Sequence, residues 1–394
     1  MRNRPVYLDN HATTPADPRV LAAMRPWWEE NFANPASIEH AMGREAEAAV
    51  EAAREQVAEL IGAEAREIVL TSGATESNNL AIKGAARFHA RHGDGGRRRI
   101  VTLATEHKCV LESVRDLEAE GFEPVILPVG PDGLIELDAL RDAVDSRTLL
   151  VSVMAVNNEI GVIQPLAEVA AIAREAGALF HTDAAQAAGR IPLDVEAIGA
   201  DLLSLSGHKM YGPKGIGALY VRRRPRARIA PLMSGGGQER GLRSGTLPAP
   251  LVVGLGEAAR IAAGEGLLDT GRIREQAGLL LDGLTRAIPG LRLNGHPEAR
   301  VPGNLNLTFP GGVDAQALMR AAPDVCVSTG SACSSAEVAP SYVLKALGLA
   351  DGEARATLRI GLGRFTSPAD TERAIASLAE AWRRVRPSSQ AAAE

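Results

Sequence analysis

Aromatic residues are scarce. Trp, Tyr and Phe make up 3% of the 394 residues, so the interior must be filled by Ala, Leu, Val and Ile. Cysteine is scarcer still: Cys109, Cys326 and Cys333 are the only three. That count is too small, and odd, for a disulfide framework. No apolar run is long enough to span a membrane, and residues 1–9 lack the apolar core of a secretory signal. These features lead to the expectation of a cytoplasmic, reducing compartment. An excess of positive charge is also missing. The net charge of −5 argues against general nucleic-acid or membrane binding. The basic charge that exists is clustered at Arg97-Arg98-Arg99 and at residues 222–228. The first cluster reads as a solvated loop beside a strand, the second as a candidate dock for an acidic partner.

What remains is an ordinary globular composition, 45% hydrophobic and 23% charged, with 40 glycines gathered in loops. The length fits two domains sharing one ligand site. Between residues 66 and 222, seven short apolar runs alternate with segments of helical period, at 67–71, 99–103, 124–128, 149–154, 178–181, 201–205 and 217–221. Such runs, apolar throughout, are strands buried on both faces, hence an α/β fold with a mostly parallel seven-stranded sheet covered by helices. Residues 44–61 form a helix stopped by Gly62. After about residue 250 the pattern changes to a helix over 272–287, strands near 291–294, 304–309, 325–328 and 357–361, and a last amphipathic helix over 368–385. This predicts a smaller α+β domain whose sheet is half exposed. The expected division is a large domain over 16–257 and a small domain of 258–394 joined by the arm 1–15.

The chemistry concentrates at Lys209. It follows the strand 201–206, and Asp183 ends a strand about 20 residues upstream. A lysine and an aspartate at neighbouring strand ends suit pyridoxal phosphate. The lysine would hold its aldehyde as a Schiff base, and the aspartate would keep the pyridine nitrogen protonated. The run 71–79 is a strand–glycine–helix junction, which makes an anion site for the phosphate, with Ala74 and Thr75 on the turn. Ser206 and His208 would add donors, and Gln186 would reach the ring oxygen. His107 closes another strand and is placed to stack on the ring and relay protons. Cys333 lies in a loop of small polar residues, where a thiol is exposed and free to act as a nucleophile. Cys109 and Cys326 read as structural. Arg359, on a late strand, is the natural partner of a substrate carboxylate.

These motifs resemble the cysteine desulfurases of the NifS/IscS class, within the aminotransferase class V, fold-type I enzymes. The match runs through Tyr7-Leu8-Asp9, Ala12-Thr13-Thr14-Pro15, Asn34-Pro35, the 71–79 turn and Thr105-Glu106-His107. It continues through Asn157-Asn158-Glu159-Ile160-Gly161, 181–186, 206–217, 235–246, Ser331-Ala332-Cys333 and 359–366. The resemblance implies conversion of L-cysteine to L-alanine with a persulfide left on Cys333. It implies a homodimer in which Thr246 reaches the phosphate of the neighbouring subunit's cofactor. It also implies that Asn158 and Arg359 hold the substrate carboxylate, with Asn34 in the substrate site. A sulfur-acceptor protein, either an iron–sulfur scaffold or a carrier for thiolation, is implied as partner. Members serving the Isc scaffold usually extend further past the position of Trp382, which leaves the acceptor open. A selenocysteine lyase or a class V aminotransferase would use the same cofactor residues with less need of Cys333. A non-enzymatic sulfur-relay subunit would release no alanine.

Overall fold

The computed structural model describes residues 4–93, 95–329 and 340–386. After β1 (Val6–Tyr7) come β2 (Ile68–Thr71), β3 (Arg99–Leu103), β4 (Glu123–Leu127), β5 (Thr148–Ser152), β6 (Leu179–Asp183), β7 (Leu202–Ser206) and β8 (Gly217–Val221). The last seven form one sheet in the order β2-β8-β7-β6-β5-β3-β4. Only β8 runs against its neighbours, pairing antiparallel with β2 and β7. Strands β2, β5, β7 and β8 are buried along their whole length, which is what their unbroken apolar runs require. Thus a mostly parallel seven-stranded sheet lies between layers of helices, the α/β arrangement expected from the sequence.

A second, smaller sheet follows: β9 (Arg292–Leu293), β10 (Asn304–Thr308) and, beyond β11 (Val325–Cys326), β12 (Thr357–Gly361), in the order β12-β10-β9. Here the expectation of a half-exposed sheet fails, because β10 is buried at every position. Its alternation is real, but its polar side is covered. Asn304 and Asn306 each donate to the carbonyl of Glu159 at 3.2 Å, and Asn306 accepts from Asn294 at 2.8 Å. The polar stripe faces the larger sheet's loops rather than water. Alternation alone cannot distinguish these surroundings.

The helix expected over 272–287 is the second half of one 39-residue helix, Ala249–Ala287. Its glycines masked the first half, since glycine is a poor helix former. They mark close contacts instead. A Cβ on Gly256 would lie 2.6 Å from the Ala53 Cα, and one on Gly266 would lie 2.8 Å from the Gly189 carbonyl oxygen. This helix gives Val252, Leu255 and Ile261 to the main core and Ala277, Leu280 and Leu284 to the smaller one. Val6 and Leu8 also belong to the smaller core, while Val343 and Leu344 return to the main one.

The basic clusters are more structural than expected. Arg97 donates to the carbonyls of Thr148 and Ala176, and Arg99 pairs with Glu123 and Asp145, so neither is a solvated loop residue. Arg222 is buried against Asp201 at 3.3 Å, which removes it from any docking surface. Arg223, Arg224 and Arg226 remain exposed.

Arg54 and Glu239 form a buried two-pronged pair at 2.7 and 2.8 Å, with side-chain exposures of 3% and 1%. Glu239 also accepts the Leu70 N–H at 2.7 Å. The pair holds Glu239 and Arg240 at φ of 49° and 57°, left-handed values that side chains resist. Glu239→Ala leaves the buried guanidinium with only the more exposed Glu51 as its ionic partner and should cost about 3 kcal/mol of unfolding free energy, read from a denaturant titration.

Candidate active site

One cavity of about 580 Å³ opens at the C-terminal ends of the parallel strands, where α/β sheets place their ligands. Lys209, Asp183, His107, Ala74, Thr75, Asn158, Gln186, Ser206, His208 and Arg359 all line it. Sequence reasoning therefore placed ten of its residues in one site.

Parallel pairing of β6 with β7 sets Asp183 opposite Ser204, and β7 then turns through Gly207 to Lys209. Asp183 accepts the Asn78 side-chain amide at 2.7 Å and the Ala185 N–H at 2.9 Å. Both partners are neutral, so neither would compete with a protonated ring nitrogen for the carboxylate. The Lys209 ammonium donates to the carbonyls of His11 and, at 2.9 Å, Ala12. Burial, followed by the cations Arg359 and Arg190, brings its pKa from 10.5 down to about 7, against the pull of Asp183 and Asp9.

His107 caps the helix Lys108–Asp116. Its Nδ1 accepts the Cys109 N–H at 3.2 Å and lies 3.0 Å from the Cys109 thiol. With Nδ1 occupied as an acceptor, the neutral ring carries its proton on Nε2. Burial lowers the ring's pKa, and Lys209 and Lys108 add to this while Asp183 opposes it. The Cys109 thiol is pushed up to about 12, first by burial and then by Asp183, so it is no nucleophile. At the other end of the cavity, Gly73 has φ of +140° and starts the helix Ala74–His92, turning that helix's free N–H groups and positive end toward the site. A short turn requiring glycine, a helix N-terminus, an aspartate and a lysine of lowered pKa together fit pyridoxal phosphate. Ala74, Thr75, Ser206 and His208 would hold its phosphate, Asp183 its ring nitrogen and Lys209 its aldehyde carbon.

Gln186 lines the cavity with its amide engaged at both ends. Nε2 donates to the His11 carbonyl at 2.8 Å, and Oε1 accepts from Arg190 at 3.0 Å. Arg359, on β12, bonds the Asn158 carbonyl at 3.0 Å and Asp9 at 2.8 Å. Asn34 and Thr246 lie elsewhere, together in a second cavity of about 210 Å³ beside Gln238 and Arg54. Cys333 lies outside the described residues.

The sequence reading assigned no role to Asn78, Asp9 or His11. Asn78 had a signal: two adjacent asparagines inside a helix oppose helix propensity, and such residues are kept for their side chains. Asp9 and His11 had none, because their partners are more than 190 residues away, as |i−j| values of 350 and 198 show.

A lysine at about 7 has a kinetic signature. Only the free amine attacks an aldehyde, so cofactor binding by the cofactor-free protein should accelerate from pH 6 to 8 and then level. An ordinary lysine would keep accelerating to about pH 10. Stopped-flow absorbance across this range distinguishes the two.

The fold and this site are those of the aminotransferase class-V family, to which the chain belongs: that family's model matches residues 6–373. Among curated proteins it is 52% identical, over 94% of its own length and 89% of the other's, to "Cysteine desulfurase IscS" of Rickettsia bellii. Among solved structures it resembles a "NIFS-like protein" at TM-score 0.88 and 36% identity, covering 95% of this chain and 98% of that one. It also resembles "SspA in complex with cysteine" at TM-score 0.81 and 38% identity, covering 92% and 99%.

Proposed function

We propose that this protein is a pyridoxal-phosphate-dependent cysteine desulfurase that converts L-cysteine to L-alanine and retains the sulfur as a persulfide on Cys333. The observation that carries this reading is the single cavity joining Lys209, Asp183, His107 and Arg359 in a chain 52% identical to cysteine desulfurases. Pyridoxal phosphate, when bound, supplies an electron sink for charge developing at the substrate α-carbon. Arg359 and Asn158 hold the substrate carboxylate. Lys209, poised near neutrality, takes the α-proton. The Cys333 thiolate attacks the substrate sulfur, so that an S–S bond forms as the substrate C–S bond breaks. The proton that completes the alanine methyl group comes from the site, with His107, whose neutral ring carries its proton on Nε2, as the acid. An acceptor thiol then removes the outer sulfur by attack on the persulfide.

The acceptor is a protein thiol delivered to the Cys333 side, and the exposed Arg223, Arg224 and Arg226 suit an acidic one. The working form is a homodimer in a reducing cytoplasm. Trp28, Phe32 and Ile38, exposed by 60%, 71% and 50%, suit cover by a second copy. Asn34 and Thr246 at the second cavity would then serve the neighbouring subunit's site.

The deciding measurement is release of alanine and sulfide from L-cysteine with dithiothreitol. Wild type should release both. Cys333→Ala should keep the cofactor absorption and lose about 10³-fold or more in turnover. Undiminished turnover in Cys333→Ala, or none in wild type, overturns the reading.

A further inference from the structure

Arg190 is a cation without a carboxylate. Its guanidinium donates to the Gln186 side-chain oxygen at 3.0 Å, the Asn10 carbonyl at 3.0 Å and the Lys209 carbonyl at 3.3 Å. Tyr211, Arg359 and His11 are the titratable groups that face it, and none is an anion at neutral pH. Charges drawn into a protein are normally paired, so an unpaired one needs a reason. The local chain holds it there. Arg190 lies four residues after Gln186 in the turns that follow β6, Gly189 turns the backbone at φ of 71°, and the Thr270 hydroxyl of the long helix donates to the Arg190 carbonyl at 2.9 Å.

The three acceptors lead to one place. The Gln186 amide, held at its oxygen by Arg190, donates through Nε2 to the His11 carbonyl at 2.8 Å. The Lys209 ammonium donates to that same carbonyl. A carbonyl oxygen has two lone pairs and can serve both. Arg190 is therefore tied to Lys209 twice, to the amine through Gln186 and His11, and to the main chain directly.

The charges facing Lys209 are Arg359 on β12, Arg190, Asp183 at the end of β6 and Asp9 of the N-terminal arm, with His107, His208 and Lys214 in the same cavity wall. Burial leads the lowering of the Lys209 pKa, followed by Arg359 and Arg190. Arg359 is offset by its pair with Asp9 at 2.8 Å. Arg190 has no such partner, so its charge acts undiminished.

We infer that Arg190 is a positioning residue for Lys209: it fixes where the amine sits through Gln186 and the His11 carbonyl, and its uncompensated charge opposes a second positive charge there. The inference rests on the reading of Lys209 as the cofactor lysine and the base.

The test compares holoenzyme wild type, Arg190→Met and Arg190→Lys. The readouts are the pH midpoint of the bound cofactor's absorption without substrate, and the acid limb of kcat for L-cysteine. In Arg190→Met both midpoints should rise by about one pH unit, the scale of removing a neighbouring charge. Turnover should then fall about fivefold at pH 7 and nearly recover by about pH 9. Arg190→Lys, which keeps the charge, should hold both midpoints within about 0.3 unit of wild type. Arg190→Gln, whose amide still donates to carbonyls, carries the same test if Arg190→Met fails to fold. Unmoved midpoints in the uncharged variants, an equal rise in Arg190→Lys, or a loss of turnover that is uniform across pH overturns the role. If borohydride traps no cofactor on wild-type Lys209, the reading of that lysine fails and this inference with it. If cofactor is trapped there and the midpoints ignore Arg190, only this inference fails.

Discussion

Lys209→Ala should abolish covalent trapping of the cofactor by borohydride reduction and lower cysteine turnover by about 10⁴-fold, the upper range for losing a proton-transfer group. The expected loss is large because the proposed mechanism gives this side chain two jobs, holding the cofactor and moving the α-proton. Its environment is built for both. Carbonyl oxygens of His11 and Ala12 cradle the ammonium, while burial and nearby arginines lower its pKa to about 7. Lys209→Arg should fail as completely, since a guanidinium stays protonated and cannot form the cofactor bond. Added methylamine should restore a fraction of turnover to Lys209→Ala and none to Lys209→Arg, where the bulk remains. Turnover of Lys209→Ala above about a tenth of wild type would remove Lys209 from the mechanism.

The second large effect is expected at Asp183. Asp183→Asn keeps the size and removes the charge proposed to face the cofactor's ring nitrogen. It also replaces one acceptor oxygen by a donor, while both neighbours, the Asn78 amide and the Ala185 N–H, are donors. One of those contacts must be lost. We expect kcat to fall by about 10²–10⁴-fold, with the KM for L-cysteine changed far less, because the proposed carboxylate partner is Arg359 and not Asp183. A shift of the bound cofactor's absorption should accompany the loss. A KM effect as large as the kcat effect would indicate disruption of the whole cavity instead.

The sheet was legible because β2, β5, β7 and β8 are buried from end to end, and burial on both faces leaves an unmistakable apolar run. Lys209 and Asp183 were legible because each ends such a run and the two runs are adjacent in sequence. What was hidden depends on distant partners. The polar side of β10 looked solvent-facing because nothing local reveals that Glu159 covers it. The front half of the helix Ala249–Ala287 was hidden by glycines whose purpose is contact with Ala53 and Gly189. Arg222 read as a surface charge until Asp201 was found against it. His11 gave no signal, since its ring is defined by Gly361 at the far end of the chain.

The joining of residues 8–12 to β12 has a consequence for biosynthesis. Asn10 bonds the carbonyl of Gly361, a separation of 351 residues. At ordinary rates of synthesis, roughly 20–70 s pass between the two leaving the ribosome. During that interval the large sheet can form, but Asp9 has no Arg359 to pair with and the floor beneath Lys209 is unfinished. Cofactor loading must therefore wait until β12 has emerged and joined residues 8–12. A nascent chain halted before β12 should remain unable to capture pyridoxal phosphate, however well its parallel sheet has folded.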